Sequence, residues 1–470
     1  MEPLTWTGSL AILNPLFVGA WAFLIVAFVV SSVVSAFSVE RAISAGASAP
    51  TRISAASWAS LGVTAGLALV ALVTFAYLIG GIALQDPQQK GILGILATRF
   101  LPVWLALAAT FALSLTFKRR LGLYGKLFDS TIGMAGFAIV MFWVFTAIFG
   151  AMDLIVTHDP LAQLSGMKNA VPGSAVTQEG VYPYYLLGGD NLARDVFSRM
   201  VKGAWVVVRI APFATLFAFM VGITLGLPAA YYGGKLDTFL TFLANLILAF
   251  PVILLFYLLV TPEIVQTGLP TYMAAVLFLL PIVFVAVLIH SRHFTDLRKD
   301  AIYLTIALAI GLWLYLGIAW DADPLGIIDF PPNLLVVFVS VVFVNAPTVF
   351  RIVRGLALDI KTRDYVAAAQ TRGEGPWYIM LWEILPNARG PLIVDFCLRI
   401  GYTTILLGTL GFFGLGLSPE SPDWGSTIND GRKLLSIYPH PALAPALALM
   451  SLVLGLNLLA DGLREESLRD

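Results

Sequence analysis

The chain has 470 residues, 59% of them hydrophobic and 12% charged, and its 28 basic residues balance 28 acidic ones. Soluble domains carry about 45–50% apolar and about 25% charged residues, so this composition excludes an ordinary soluble globule, and the balanced charge argues against a nucleic-acid partner. The one cysteine, Cys397, excludes an internal disulfide and sits in an apolar run, where it reads as a buried, inert thiol.

A helix needs roughly 20 apolar residues to cross a bilayer core. In chain order, such runs lie near residues 14–37, 56–81, 95–117, 131–152, 203–230, 236–260, 271–290, 301–319, 333–350, 390–416 and 440–461. They predict an all-α, polytopic transmembrane bundle of about eleven spans. None alternates in polarity as a barrel strand would. No Lys or Arg precedes the first run, so it reads as a retained span rather than a cleaved signal. A small-residue linker, "AISAGASAPTR", follows it. The run at 333–350 is short, and those at 271–290 and 301–319 are the least distinct as separate spans.

Eleven spans put the termini on opposite sides. With the N-terminus outside, the inner segments collect the basic clusters Lys118, Arg119, Arg120, Lys126 and Arg351, Arg354, Lys361, Arg363, Arg372, Arg389. Excess positive charge belongs on the cytoplasmic face. Two connecting segments are too long for simple turns: 153–202 outside and 351–389 inside. In the outer one, Asp190 and Arg194 read either as a capped, solvated surface helix or as a docking face for a binding protein.

The inner segment carries "DYVAAAQTRGEGPWYIMLWEILPNA". Ala367, Ala368 and Ala369 favour helix and leave room for another surface to approach. Gly373 and Gly375 suit its C-terminal end, and Pro376 fits the first turn of a second helix. There Trp377, Leu381 and Ile384 share one face, which predicts an amphipathic, interfacial helix stopped by Pro386. Charged and amide groups inside spans are costly. Asp395 and Arg399, four apart, read as a self-satisfied pair or as lining of a solute pathway; Asn245 reads as an interhelical hydrogen bond or a pathway contact. "GTLGFFGLGL" reads as small-residue helix packing. No Gly-x4-Gly-Lys-Ser/Thr phosphate loop and no His-Glu-x2-His motif occurs. His158, His290, His293 and His440 form no single metal motif.

Several of these stretches carry a family resemblance. Ala368, Ala369, Gly373, Ile384, Leu385, Pro386 and Asn387 resemble the Glu-Ala-Ala loop of ABC importer permeases, with Ala367 replacing its leading Glu. "HDPLAQ", "LLGGDNLARDVFSRMVKGA", "LPAAYYGGKLDTFLTFLANLILAFPVILL", "GFFGLGLSPESPDWGSTINDGR" and "ADGLREESLRD" resemble, in order, segments of the C-type subunit of the dipeptide/oligopeptide branch. The resemblance implies a type I importer permease core. Residues 118–260 and 333–470 would form that core, 1–117 an added three-helix segment and 261–332 an inserted helix pair. It also implies that the loop from Asp364 and Tyr365 through Pro386 couples to a separate ATPase. ATP and Mg would bind to two ATPase subunits, with no cofactor or metal in this chain. The other implied partners are a second homologous permease, an extracytoplasmic solute-binding protein and membrane lipid, in a bacterial inner membrane. The expected cargo is a peptide or peptide-like solute. An ion-gradient-driven transporter, a membrane-embedded enzyme, or the same machinery carrying nickel or opines are the alternatives.

Overall fold

A backbone inside a bilayer must satisfy its own hydrogen bonds, and this chain does so with helices. The computed structural model describes residues 2–45, 55–327, 330–415 and 421–467; most of the small-residue linker and residues 416–420 of the glycine-rich motif lie outside them. Ten described helices are long and apolar enough to cross a membrane, and one bent pair raises the number to eleven. The chain divides into two compact units, residues 1–102 with 163–195, and residues 103–162 with 196–470.

In the first unit, α1 (Asn14–Ala45) and α2 (Ala55–Ala83) run antiparallel. Tyr77 donates to the Asn14 amide oxygen at 2.5 Å, and Gly66 lets the backbone of Leu24 approach. Asp86 caps α3 (Pro87–Arg99) by accepting from the Gln88 N–H at 3.1 Å. The outer residues of this unit form a short antiparallel hairpin, β1 (Ser174–Ala175) with β2 (Tyr184–Tyr185). The N-terminal stretch pairs beside it: the Leu4 N–H donates to the Gly173 carbonyl at 2.9 Å. Gln88 reaches the Tyr184 hydroxyl at 3.4 Å, and the Arg99 guanidinium lies 4.5 Å over the Tyr182 ring. Residues 163–195 are therefore seated on the N-terminal helices rather than free in solvent.

The second unit holds nearly all of α4 (Leu101–Phe117), then α5 (Gly122–Lys126), α6 (Thr131–Ala151) and the long α7 (Val196–Tyr232). The run predicted at 95–117 is thus two helices broken at Phe100, and only the second is a span. Next come α8 (Gly234–Leu248) and α9 (Val252–Val260), bent 82° from each other. The span predicted at 236–260 is a bent helix pair, because Pro251 lacks an N–H and leaves helical backbone (ψ 119°) between the two. A short α10 (Pro262–Gln266) leads to α11 (Leu269–Leu277) and α12 (Leu279–His293), which form one span, and α13 (Leu297–Ala319) forms the next.

The run that looked short becomes α14 (Pro332–Ile360), the most buried of the spans. It looked short because Asn345, Arg351 and Arg354 interrupt its hydropathy. Asn345 is buried, Arg354 is half-buried and paired with Asp237, and Arg351 is exposed toward the end of the helix. α14 packs along α7 where glycines permit close approach: a Cβ on Gly222 would meet Val349 at 2.6 Å, and one on Gly226 would meet Val353 at 3.1 Å. The chain ends with α15 (Asp364–Thr371), α16 (Pro376–Tyr378), α17 (Leu385–Asn387), α18 (Arg389–Phe412), α19 (Trp424–Arg432) and α20 (His440–Ser467). α20 packs against α6 and α18. Cys397 is buried between α18 and its neighbours.

Candidate functional site

The inner loop is a helix–turn–helix bolted to the bundle. Gly373 ends α15 in the left-handed conformation (φ 83°). The Gly373 N–H donates to Gln370 and the Glu374 N–H to the Ala369 carbonyl, at 3.0 and 3.3 Å, the paired bonds of a Schellman end. Gly375 instead has φ −69° and only precedes Pro376. The chain then continues helically through Pro386, contrary to the expected stop. Proline leaves the carbonyl four residues back without its donor. Here the preceding turn, Ile379–Ile384, widens into a π-helix that relieves the clash.

The loop's faces are sharply divided. Val366 and Ala369 are fully buried, packed with Ile379, Met380 and Ile384 against α7 and α14. Asp364, Tyr365, Ala367, Ala368 and Gly373 are exposed. Of the three alanines, Ala369 is thus internal packing, and only Ala367 and Ala368 offer a close-approach surface. Leu385 is half-buried and Pro386 exposed. The second helix is not a free interfacial helix either. Leu381 is buried, and the Trp382 indole donates to Ser291 of α12 at 3.0 Å beneath the Arg292 guanidinium, 4.4 Å from the ring. Arg372 bridges the turn, 2.9 Å from Glu383 and 3.8 Å from Glu374. At the top of the loop, Lys361 donates to the Ala230 carbonyl at 2.6 Å, and Arg354 forks onto Asp237 of α8.

On the opposite side of the second unit, motif residues distant in sequence converge on Arg199. Its guanidinium is fully buried and donates to Thr427, to the Ser421 carbonyl at 3.2 Å and to the Pro160 carbonyl at 3.5 Å. The Trp424 indole donates to the Met200 carbonyl at 2.8 Å and meets Trp143 edge-on. Asp423 caps α19 through the Ser426 N–H at 2.9 Å, and its burial raises the carboxyl above the ordinary range. Gly408 and Gly411 let α18 touch this corner, since a Cβ on Gly425 would meet the Gly408 carbonyl at 2.1 Å.

Asp190 and Arg194, in the first unit, are buried and engaged with each other at 2.6 Å. The other Asp190 oxygen accepts from the Leu192 and Arg194 N–H groups. They form neither a solvated helix nor an exposed docking face; they shape a turn from within. Asp395 and Arg399 form the anticipated i,i+4 pair at 2.7 Å, with both side chains mostly buried. Asn245 lies exposed on α8 beside Phe242 and Leu246, themselves exposed. A second polar cluster went unread in the sequence. Asn345 donates to the Val341 carbonyl at 3.0 Å and lies 3.5 Å from Thr403, whose hydroxyl is 3.3 Å from Thr215. The rule that singles out Asn245, an amide in an apolar run, applies equally to Asn345. His290 pairs with Asp300 at 2.8 Å, and among the described residues no group of three metal-ligating side chains occurs.

Residues 222–465 match the family described as binding-protein-dependent transport system inner membrane component. The chain is 30% identical over 287 residues to the glutathione transport system permease protein GsiD of Pectobacterium atrosepticum, covering 61% of this chain and 73% of that protein. It is 26% identical over 342 residues to the dipeptide transport system permease protein DppC of Alkalihalophilus pseudofirmus, covering 73% and 87% respectively. With DppC of Haemophilus influenzae the identity is 29% over 287 residues, 61% of this chain and 75% of that one.

Proposed function

We infer the function from one premise: this chain belongs to the family of binding-protein-dependent transport system inner membrane components. It is a multi-pass membrane permease subunit of an ABC importer. Its cargo is a peptide or a peptide-like solute, the class named for the DppC and GsiD relatives. ATP is hydrolysed on separate ATPase subunits, and solute is delivered by an extracytoplasmic binding protein. A second, homologous permease completes the pathway.

The observation that carries the coupling assignment is the division of α15. A small, exposed Ala367–Ala368 surface stands on a fully buried Val366–Ala369 base that is continuous with α7 and α14. A push on that surface cannot be absorbed by the loop alone, because close-packed interiors transmit displacement. ATPase closure would thus move α7 and α14 and rock the bundle between inward- and outward-open states. The leading Glu of the family loop is absent at Ala367, so docking rests on shape and on flanking charges such as Asp364. Asn245 is assigned to the solute pathway or to the partner permease, since an exposed amide on an apolar face needs a polar neighbour supplied from outside this chain.

The orientation is N-terminus outside and C-terminus in the cytoplasm. What supports it is the excess of Lys and Arg in the segments it places inside; the four membrane-crossing helices between Leu4 and Gly173 return the chain to its starting side, in keeping with their hydrogen bond. The test is a disulfide or bifunctional cross-link from Ala368→Cys in the assembled transporter. The ATPase subunit should be captured, and Ala369→Cys should react far more slowly. Equal capture at both positions, or none in a complex that transports, would remove the docking role.

A further inference from the structure

The inserted helix pair encloses something the transport reading does not use. Between α12, α13 and α7 lies a cavity of about 630 Å³, lined by Ile282, Val285 and Ile289 on one side and Ile310 and Leu314 on the other, with Met220 closing it toward α7. Ile306 and Ile310, on its rim, are 52% and 51% exposed, so it is a groove open along its side. The volume falls in the range of small-molecule sites, about 300–1,000 Å³. Its length is informative. From Pro281 to His293, α12 rises about 18 Å at 1.5 Å per residue, close to half of an about 30 Å hydrocarbon core. The groove thus matches one leaflet, and its occupant has the length of one acyl chain.

The two ends differ in chemistry. Its lining turns polar at His293 and Tyr303, whose rings stack edge-on at 5.1 Å. That end adjoins the last turn of α12, which carries Arg292, and the first turn of α13, which carries Arg298 and Lys299. Lys299 is paired with Asp296 and His290 with Asp300. Arg292 and Arg298 are exposed, and among the described residues neither has a carboxylate within ion-pair distance. Arg292 is held by the Trp382 ring alone. An apolar slot of leaflet depth whose polar end, at His293 and Tyr303, adjoins the helix turns carrying two exposed arginines is complementary to one molecule class. We propose that the α12–α13 insert binds an anionic phospholipid of the inner leaflet, with an acyl chain in the groove and its phosphate at Arg292 and Arg298. Arginine suits this role because its planar fork matches phosphate oxygens. The site also touches the coupling loop, since Arg292 and Ser291 both contact Trp382.

The proposal does not depend on the cargo or on ATPase coupling, and its test does not read transport. The full chain in nanodiscs would be labelled with a phosphatidylglycerol carrying a photoreactive group in its acyl chain, with phosphatidylcholine carrying the same group as the control. Labelled peptides should map to α12 and α13, with phosphatidylglycerol favoured. Arg292→Gln and Arg298→Gln should each cut that preference about fivefold, the effect expected for one surface cation. Ala307 of α13 also lines the groove, and Ala307→Trp, which fills it, should abolish labelling there and leave it unchanged elsewhere. Arg298→Gln is a surface change away from the Trp382 contact, so it remains informative if Ala307→Trp fails to fold or if Arg292→Gln disturbs Trp382. Equal labelling by the two lipids would mean ordinary annular lipid and would overturn the site. So would labelling that survives Ala307→Trp in a folded protein, or labels that map away from the insert.

Discussion

Arg199 illustrates how a buried cation is kept. Three of its acceptors come from segments around residues 160, 421 and 427, so one side chain ties the stretch after α6 to the corner before α19. Hydrogen bonds to charged groups contribute about 1.5–3 kcal/mol each way, and stranding their acceptors adds to the loss. Arg199→Ala should lower the thermal unfolding midpoint in detergent by several degrees. Arg199→Lys should not restore it, because an ammonium cannot reach three divergent acceptors. The Asp395–Arg399 pair allows a separation of roles. Asp395→Ala leaves a mostly buried guanidinium alone and should cost about 3–5 kcal/mol. Replacing both by apolar residues should recover much of that stability. If uptake stays impaired in that recovered double variant, the pair lines the solute pathway; if uptake returns, it is structural. Asp423 gives a pH signature. Its carboxyl is raised by burial, so its contribution favours the native state fully below the ordinary carboxylate value and is lost as pH rises through the raised one. Asp423→Asn should flatten that part of the stability profile measured between pH 4 and 7, at the cost of a weaker cap on α19.

Among the elements, α7 and α14 carry the bundle, and their contact depends on two missing side chains. Gly222→Leu would drive a side chain into Val349 and the backbone of Phe350. Overpacking of this kind costs about 1–3 kcal/mol, so the folded yield after membrane extraction should fall, whereas Gly355→Ala, with open space around it, should be neutral. The spans themselves were readable because hydropathy reports the helix directly. What it could not report was continuity. The bend at Pro251 and the break at Phe100 sit inside apolar runs, and the helix that survives Pro386 does so through a π-helical turn with no separate sequence mark. The alanine triplet shows the same limit. Composition identified a close-approach surface, but which alanine points inward depends on Val366 and Met380 filling the space beneath, a tertiary fact. Asp190 and Arg194 misled for a related reason: polar residues in a loop look solvated until the loop folds over them.

For the whole molecule, the added sequence is not distributed at random. One addition, the N-terminal helices, folds with residues 163–195 of the outer segment. The other, the α12–α13 pair, contacts the inner coupling loop through Ser291 and Trp382. Each addition therefore lies against a segment to which we assign a partner. We propose that residues 163–195 meet the binding protein; deleting residues 2–83, which removes two spans and so keeps the orientation of the rest, should then weaken delivery by that protein. ATPase assembly at the inner face should be spared. Uptake measured across binding-protein concentrations, beside co-purification of the ATPase, separates the two. A parallel loss of both would point to general misfolding instead.

The hydrogen bond between Leu4 and Gly173 also constrains manufacture. The ribosome releases the first partner long before the second, with four membrane crossings threaded in between. With the orientation we propose, the segment around Leu4 crosses first and waits on the far side until the later stretch arrives to close over it. A bulky insertion beside Leu4 would obstruct that late closure, whereas one near the end of α20 would not, which makes the choice of tag position a direct readout of the assembly order.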